Sequence, residues 1–244
     1  MSALDTQNRY RWVIVGVAML ALIVSNGLSI GGLPPFYKPM REELVAIGAV
    51  DPTRAESFIA VSANITFVMS GVSSLVAGWM LTRVRIRPVM LVGCVLLGAG
   101  VVLQSQAASV TTVYLSRFLM GSSLGFVGVA PCVVLVSGWF EEKRGVALGI
   151  ALTGTSLGGS IVSLMAAPLI ANYGWRTAML VLSGLVWFVL VPPVLLLVRQ
   201  KQASGALHAQ QSLGDTALFN AEDAEREEAE DAERREGRTL GEAL

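Results

Sequence analysis

The sequence predicts an all-α membrane protein of six transmembrane helices, arranged as two three-helix repeats and followed by an acidic cytoplasmic tail. The first observation is composition: 53% of the 244 residues are hydrophobic and 15% are charged, against roughly 25% charged in soluble domains. The second is a mean hydropathy of +0.62. The third is charge distribution, because residues 1–198 carry a net +5 and residues 199–244 a net −5. This division argues against a uniformly basic nucleic-acid-binding protein.

Six stretches are apolar enough to cross a membrane, which takes about 20 helical residues for roughly 30 Å of hydrocarbon. They are approximately residues 12–33, 57–81, 88–107, 111–138, 145–171 and 177–198. The first is long for the core of a signal peptide and lacks an Ala-x-Ala cleavage pattern, so we expect it to be retained. Residues 1–198 are therefore predicted to form one transmembrane bundle.

Lysine and arginine residues in the short connections predict the orientation of this bundle. If the N-terminus is cytoplasmic, nine of them lie inside: Arg9, Arg11, Arg83, Arg85, Arg87, Lys143, Arg144, Arg199 and Lys201. Four lie outside: Lys38, Arg41, Arg54 and Arg176. This excess predicts that both termini are cytoplasmic and that the bundle is integral to the cell (inner) membrane.

Polar side chains are unevenly shared among the six stretches. The first, second, fourth and fifth carry several Ser, Thr or Asn residues, whereas the third is apolar until Gln104 and the sixth has only Ser183 beyond Thr177. The order polar, polar, apolar thus occurs twice, as two three-helix repeats would produce. The four polar stretches are expected to face a solvent-accessible cavity, in which Asn26 and Asn64 are candidate substrate or coupling residues.

Close helix packing is the alternative explanation of these small residues. The sequence contains three Gly-x-x-x-Gly pairs: Gly121 with Gly125, Gly145 with Gly149, and Gly154 with Gly158. The first and third pairs are assigned to helix packing. For any single serine or glycine, packing is favoured over a functional role.

Arg117 is the one ionisable residue well inside a predicted helix, roughly 9 Å from its outer end at 1.5 Å per residue. An intramembrane charge costs about 2.5–3.5 kcal/mol on insertion scales, so Arg117 should face a cavity or a partner. The alternative is a side chain that snorkels to the outer headgroups. Arg117 is therefore a candidate substrate or coupling residue, together with Lys38 near the end of the first helix.

The sequence predicts no enzyme, no catalytic residues, no metal site and no cofactor. The sole histidine, His208, lies in the tail, and the predicted helices contain no Asp or Glu. An intramembrane serine protease would lack its base, and a metalloprotease its ligands. A voltage sensor would need regularly spaced arginines, and an ATP-driven pump a phosphate-binding loop that the sequence does not contain.

The connection after the second helix resembles a known family. Gly78-Trp-Met-Leu-Thr82-Arg83-Val-Arg85-Ile-Arg87 is similar to the loop motif of the major facilitator superfamily, in which a glycine closes helix 2 before a short basic turn. Gly78, Arg83 and Arg87 fit the motif, and the resemblance assigns them to gating. Thr82 stands where the family usually has Asp, and Arg85 where it usually has Gly.

Three further segments are similar to the same family. Arg117-x-x-x-Gly121-x-x-x-Gly125 resembles its arginine-bearing helix 4, and Gly174-Trp-Arg176 resembles the turn into helix 6. Residues 32–43 are most similar to the monocarboxylate and oxalate/formate branch. The resemblance covers residues 12–198 and implies half of a major facilitator fold, belonging to a secondary transporter that moves a small solute, such as an organic monoanion, by alternating access.

Residues 199–244 are predicted to form a cytoplasmic acidic linker, helical or disordered. In the resembled family a second six-helix bundle follows such a loop. The implied partners are therefore the lipid bilayer, a small-molecule solute and a second bundle, supplied by a missing half or by another copy; no nucleic acid is expected. The alternative is a non-transporting membrane protein or truncated fragment whose acidic tail recruits partners.

Overall fold

The computed structural model of the chain describes residues 3–140 and 143–198, so the predicted acidic linker at 199–244 lies outside the described residues. The described part is helical throughout, with short connections. Five stretches are long and apolar enough to cross a membrane: Tyr10–Ala46, Pro52–Leu81, Ile86–Ser105, Val110–Ser137 and Arg144–Leu197. An all-α fold with long apolar helices is therefore confirmed.

The first apolar stretch extends past its predicted end at residue 33. Helix α1 (Ala3–Asn26) continues through a π-helical turn (Gly27–Gly31) into α2 (Pro34–Ala46). Helix α2 was not among the predicted helices. It can form because two prolines occupy its first turn, where a missing N–H breaks no hydrogen bond. Helix α2 then buries a stripe of residues spaced four apart: Phe36, Met40 and Leu44.

The next two helices follow their predicted positions. Helix α3 (Ala55–Leu81) and helix α4 (Ile86–Ser105) are joined by the short basic turn. The fourth stretch divides into α5 (Val110–Val127) and α6 (Val129–Ser137), because Gly128 has a non-helical ψ of −146°. Pro131 contributes to the break, since it has no N–H to donate to the carbonyl four residues earlier.

The last stretch contains one sharp change of backbone direction. Helix α7 (Arg144–Gly184) runs into a π-helical segment (Leu185–Leu190) and then α8 (Val191–Leu197). Inside α7, Gly174 has φ 78° and ψ 161°, a left-handed conformation that glycine adopts without a Cβ clash. Gly174 therefore separates two helical parts of α7.

Contacts on the two sides of Gly174 show that the chain turns back there. Before it, Gly154 lies against the backbone of Met19 and Gly158 against that of Ile23, so α7 runs beside α1 in the same direction. After it, the Tyr10 hydroxyl donates a 2.7 Å hydrogen bond to the carbonyl of Leu197. The end of α8 thus returns to the level of Tyr10.

The helices enclose one apolar core, and their outer faces are also apolar. Cys94 and Cys132 are buried free thiols in this core, as their apolar surroundings in the sequence predict. Among the five long stretches, the one containing α3 buries the smallest share of its residues. Its exposed face carries large apolar side chains, among them Phe67, Leu75 and Trp79. Such a surface suits lipid or another apolar protein surface.

Candidate functional site

Arg117 lies on α5 with none of its side chain exposed to solvent. Its Nε, Nη1 and Nη2 atoms have no hydrogen-bond partner among the described residues. The compensating group that the structure shows is the side chain of Tyr37. Its ring centroid lies 5.5 Å from the guanidinium carbon, and its hydroxyl interacts with the guanidinium. This placement inside the bundle favours the inward orientation of Arg117 over the snorkelled one.

Further polar atoms without partners lie on the helix that faces α5. Ser29, in the π-helical turn, donates a 3.4 Å hydrogen bond to the carbonyl of Met120, one turn beyond Arg117. One turn earlier, at the end of α1, the hydroxyl of Ser25 and the Nδ2 atom of Asn26 are buried and have no hydrogen-bond partner in the described part of the chain. The first and fourth apolar stretches therefore meet at Ser29 and Met120, and unused donors lie one turn earlier on α1.

A satisfied polar network lies next to Arg117 in sequence. Ser116 donates to Oε1 of Gln104, and Nε2 of Gln104 contacts Sδ of Met40 at 3.0 Å. All of these side chains are buried. They join α5, α4 and α2, so helix α2 is held as part of the fold.

Lys38 is exposed and lies outside this buried region. It lines a pocket of about 310 Å³ at the start of α2. The other residues of the pocket are Pro34, Tyr37, Arg41, Glu56 and Ile59. Arg41 and Glu56 form an exposed 3.4 Å ion pair there, which joins α2 to the first turn of α3. Tyr37 lines this pocket and also lies against Arg117.

Asn64 lies in a different place from the other candidates. It is exposed and lines an apolar groove of about 630 Å³ between α3 and α5, together with residues such as Val61, Val68, Tyr114 and Phe118. The structure therefore does not bring Asn64 to the guanidinium of Arg117.

Most hydroxyl groups of α3 bond to their own helix. Ser62 donates to the carbonyl of Ile59, and Ser73 and Ser74 donate to carbonyls three or four residues earlier. Such bonds satisfy a buried hydroxyl without any ligand. For these serines the packing explanation therefore accounts for the polar pattern.

The glycine pairs differ from one another in their surroundings. A Cβ on Gly121 would lie 2.5 Å from the carbonyl oxygen of Thr66, and one on Gly125 would lie 2.4 Å from the backbone of Ser73. Cβ atoms on Gly154 and Gly158 would lie 2.6 and 2.3 Å from carbonyl oxygens of α1. A Cβ on Gly145 or Gly149 would meet nothing within 4 Å. Two of the three pairs thus lie at close helix contacts.

The basic turn after α3 is exposed. Arg83 lies over the ring of Trp79, with its guanidinium carbon 4.5 Å from the ring centroid, and Arg87 is exposed at the start of α4. A Cβ on Gly78 would meet nothing within 4 Å, so no close approach within the described bundle requires glycine there. The two arginines are available to contact lipid or another protein surface.

A second polar network, at the same end of the bundle as Gln104 and Met40, was not predicted from the sequence. Trp175 and Arg176 both donate to the carboxylate of Glu43, with a distance of 2.8 Å from Nε of Arg176. Arg176 also donates to the carbonyls of Ser105 and Ala107, at 3.1 and 2.7 Å. One side chain thus joins three helix ends. Neither this network nor Tyr37 could be anticipated once residues 34–46 were interpreted as a connection.

Sequence comparison decides the family. The model of the Major Facilitator Superfamily matches residues 12–233. The chain belongs to this superfamily. Its curated relatives include proteins named as monocarboxylate transporters.

Three relatives illustrate the extent of the similarity. Monocarboxylate transporter 13 of Rattus norvegicus is 35% identical over 104 residues, which are 43% of this chain and 24% of the relative. The Bos taurus protein of the same name is 31% identical over 174 residues, which are 71% of the chain and 39% of the relative. Riboflavin transporter RibJ of Trypanosoma cruzi (strain CL Brener) is 29% identical over 127 residues, 52% of the chain and 27% of the relative. The chain therefore spans well under half the length of these relatives.

Proposed function

We propose that this chain forms one half of a secondary transporter for a small organic monoanion, and that the transporter works by alternating access between two six-helix bundles. The relatives named for monocarboxylates support the substrate class. Because the chain spans well under half of these relatives, the proposal includes a second bundle, supplied by a longer protein or by another copy of the chain.

The proposal counts six crossings in two three-helix repeats. The turn at Gly174 and the hydrogen bond from Tyr10 to Leu197 support a separate sixth helix after residue 174. Since six is even, both termini lie on the same side, and the nine basic residues assigned to that side place them in the cytoplasm. The cell membrane is the proposed location, and residues 199–244 the proposed cytoplasmic linker.

Arg117 is the observation that carries the proposed function. A fully buried guanidinium with three unpartnered nitrogens needs a compensating anion. A carboxylate can accept two parallel hydrogen bonds from the planar guanidinium, which gives both affinity and orientation. In our proposal this anion is the solute, or an acidic group of the second bundle that the solute replaces. Asn26 borders the same surface, whereas Lys38 meets the solute earlier, in the outer pocket.

The test is uptake of radiolabelled pyruvate into vesicles that contain the chain together with a second six-helix bundle. Arg117→Lys keeps the charge but loses the paired geometry, so we expect at least about a tenfold lower initial rate with unchanged membrane insertion. Arg54→Lys, at an exposed arginine on a connection, is the matched control and should transport normally. Normal uptake by Arg117→Lys would contradict a role for the guanidinium geometry.

Arg83 and Arg87 form the proposed cytoplasmic gate. Helix C-termini expose carbonyls that attract cations, so the exposed arginines can hold a helix end of the second bundle and restrict opening to the cytoplasm. Gly78 belongs to the same motif in the family. The alternative, a non-transporting protein whose acidic tail recruits partners, is not favoured by relatives that are themselves named as transporters.

A further inference from the structure

Tyr37 lies between the outer pocket and Arg117. Its half-buried side chain is one of the residues that line the 310 Å³ pocket at the start of α2. The centroid of the same ring is 5.5 Å from the guanidinium carbon of Arg117. One aromatic side chain therefore contacts an open pocket and also covers a buried charge.

The interaction with Tyr37 offsets only part of the cost of burying the Arg117 guanidinium. An aromatic face attracts a guanidinium but leaves its N–H donors unpaired. Nε, Nη1 and Nη2 of Arg117 form no hydrogen bond of normal geometry in the described part of the chain, and the Tyr37 hydroxyl is the polar group that interacts with them. The guanidinium is therefore better satisfied by a carboxylate than by the ring that lies over it.

The pocket beyond Tyr37 suits a small anion. Its volume of about 310 Å³ is at the lower end of the range for small-molecule sites. Lys38 and Arg41 supply positive charge, while Glu56 is paired with Arg41. A small carboxylate that enters this pocket is separated from Arg117 by Tyr37.

We infer that Tyr37 is the outer gate of the anion site. Its ring covers Arg117 when the site is empty, and it rotates aside when a small carboxylate passes from the pocket to the guanidinium. This inference rests on the proposed function, because it takes Arg117 as the anion site. Tyr37 acts here as a positioning and access residue, distinct from the cytoplasmic arginines.

The backbone around Tyr37 is held, which assigns the movement to its side chain. Near one end of α2, Glu43 accepts hydrogen bonds from Trp175 and Arg176. Phe36 and Met40, on either side of Tyr37, are buried in the core. Side-chain rotation is fast and needs no displacement of a packed helix.

The experiment measures how fast phenylglyoxal, a small arginine-specific reagent, modifies Arg117. The full 244-residue chain in lipid nanodiscs is labelled for increasing times, and modification is quantified by peptide mass spectrometry. In Tyr37→Ala we expect Arg117 to react about tenfold faster than in the wild type. Tyr37→Phe keeps the ring but loses the hydroxyl that interacts with the guanidinium, so its rate should lie between those of the wild type and Tyr37→Ala. Excess pyruvate should slow the reaction in Tyr37→Ala.

Tyr114→Ala is the matched control. Tyr114 is also half-buried, but it packs against Phe58 with ring centroids 5.6 Å apart and lines the other groove. It should leave the labelling of Arg117 unchanged. If Tyr37→Ala aggregates, Tyr37→Leu removes the aromatic face while retaining bulk, and it should also label faster than Tyr37→Phe.

Three results would each overturn the gate. Arg117 in Tyr37→Ala is labelled at the wild-type rate, Tyr114→Ala accelerates the labelling of Arg117 as much as Tyr37→Ala does, or pyruvate does not slow the labelling in Tyr37→Ala. These results are separable from the uptake test. Unchanged labelling together with impaired uptake by Arg117→Lys removes the gate and leaves the proposed function. Faster labelling with pyruvate protection supports the gate, even if normal uptake by Arg117→Lys overturns the role proposed for the guanidinium geometry.

Discussion

Arg176 donates a 2.8 Å hydrogen bond from Nε to Oε1 of Glu43, across 133 positions of sequence. The same guanidinium donates to the carbonyls of Ser105 and Ala107, so it joins the end of α2, the connection after α4 and the helix that follows Gly174. Three carbonyl or carboxylate acceptors lose their donor if this side chain is removed.

The first prediction follows from these bonds. Arg176→Gln should lower the free energy of unfolding in detergent by about 1.5–3 kcal/mol, the usual contribution of a hydrogen bond to a charged group. Arg54→Gln, at an exposed arginine of a nearby connection, should change it by less than about 0.5 kcal/mol. Equal stability of the two variants, measured by denaturant titration of tryptophan fluorescence, would show that the network contributes nothing.

The second prediction concerns two glycines of one helix. A Cβ on Gly158 would lie 2.3 Å from the carbonyl oxygen of Ile23, whereas one on Gly149 would meet nothing within 4 Å. Gly158→Ala should therefore destabilise the bundle by about 1–3 kcal/mol through overpacking. Gly149→Ala should be neutral or stabilise it by up to about 1 kcal/mol, because alanine favours helix. Thermal unfolding in detergent compares the variants, and the reverse order would reject the contact between α7 and α1.

The glycine pairs mark what a sequence of this kind can predict. Spacing four apart identifies faces that permit close approach, and Gly154 and Gly158 lie against the backbone of α1. The same spacing at Gly145 and Gly149 has no close neighbour in the described structure. The spacing of two glycines is a property of one helix, whereas a close contact depends on which helix lies opposite. The Gly-x-x-x-Gly motif does not specify the facing helix.

The region around Arg117 also contains one feature that the sequence could predict and one that it could not. Its burial could be predicted, because a charge in an apolar stretch must be compensated or pay a large desolvation cost. Its aromatic neighbour could not, since no helix was predicted between residues 33 and 57. The available signal was the spacing of Phe36, Met40 and Leu44, which is that of one helical face. Recognising it would have placed Tyr37 at the edge of that buried face.

The third prediction tests the sixth crossing and the orientation together. A cysteine introduced at Tyr173, which is 67% exposed, should react with an impermeant maleimide in intact cells. A cysteine at Ala217 should react only after the membrane is permeabilised, because the excess of basic residues predicts a cytoplasmic location for that side. Cys94 and Cys132 are buried and should give little background. Labelling of both introduced cysteines from outside would reject a crossing between them.

The last prediction concerns the basic turn between α3 and α4. Arg83 and Arg87 match the family motif, while Arg85, also exposed, stands where the family usually has glycine. If the first two hold a helix end of the second bundle, Arg83→Gln with Arg87→Gln should change pyruvate uptake, because a lost contact to a charged donor costs about 1.5–3 kcal/mol and shifts the balance between the two open states. Arg85→Gln is the matched control: it removes the same charge from the same turn and should leave the rate near that of the wild type. Membrane insertion, measured by the amount of folded protein extracted, should be equal in all three proteins. If the double variant instead fails to insert, Arg83 and Arg87 determine topology only. If Arg85→Gln alters uptake as strongly as the double variant, the effect arises from net charge near the membrane surface. The assignment of a gate to Arg83 and Arg87 would then be wrong.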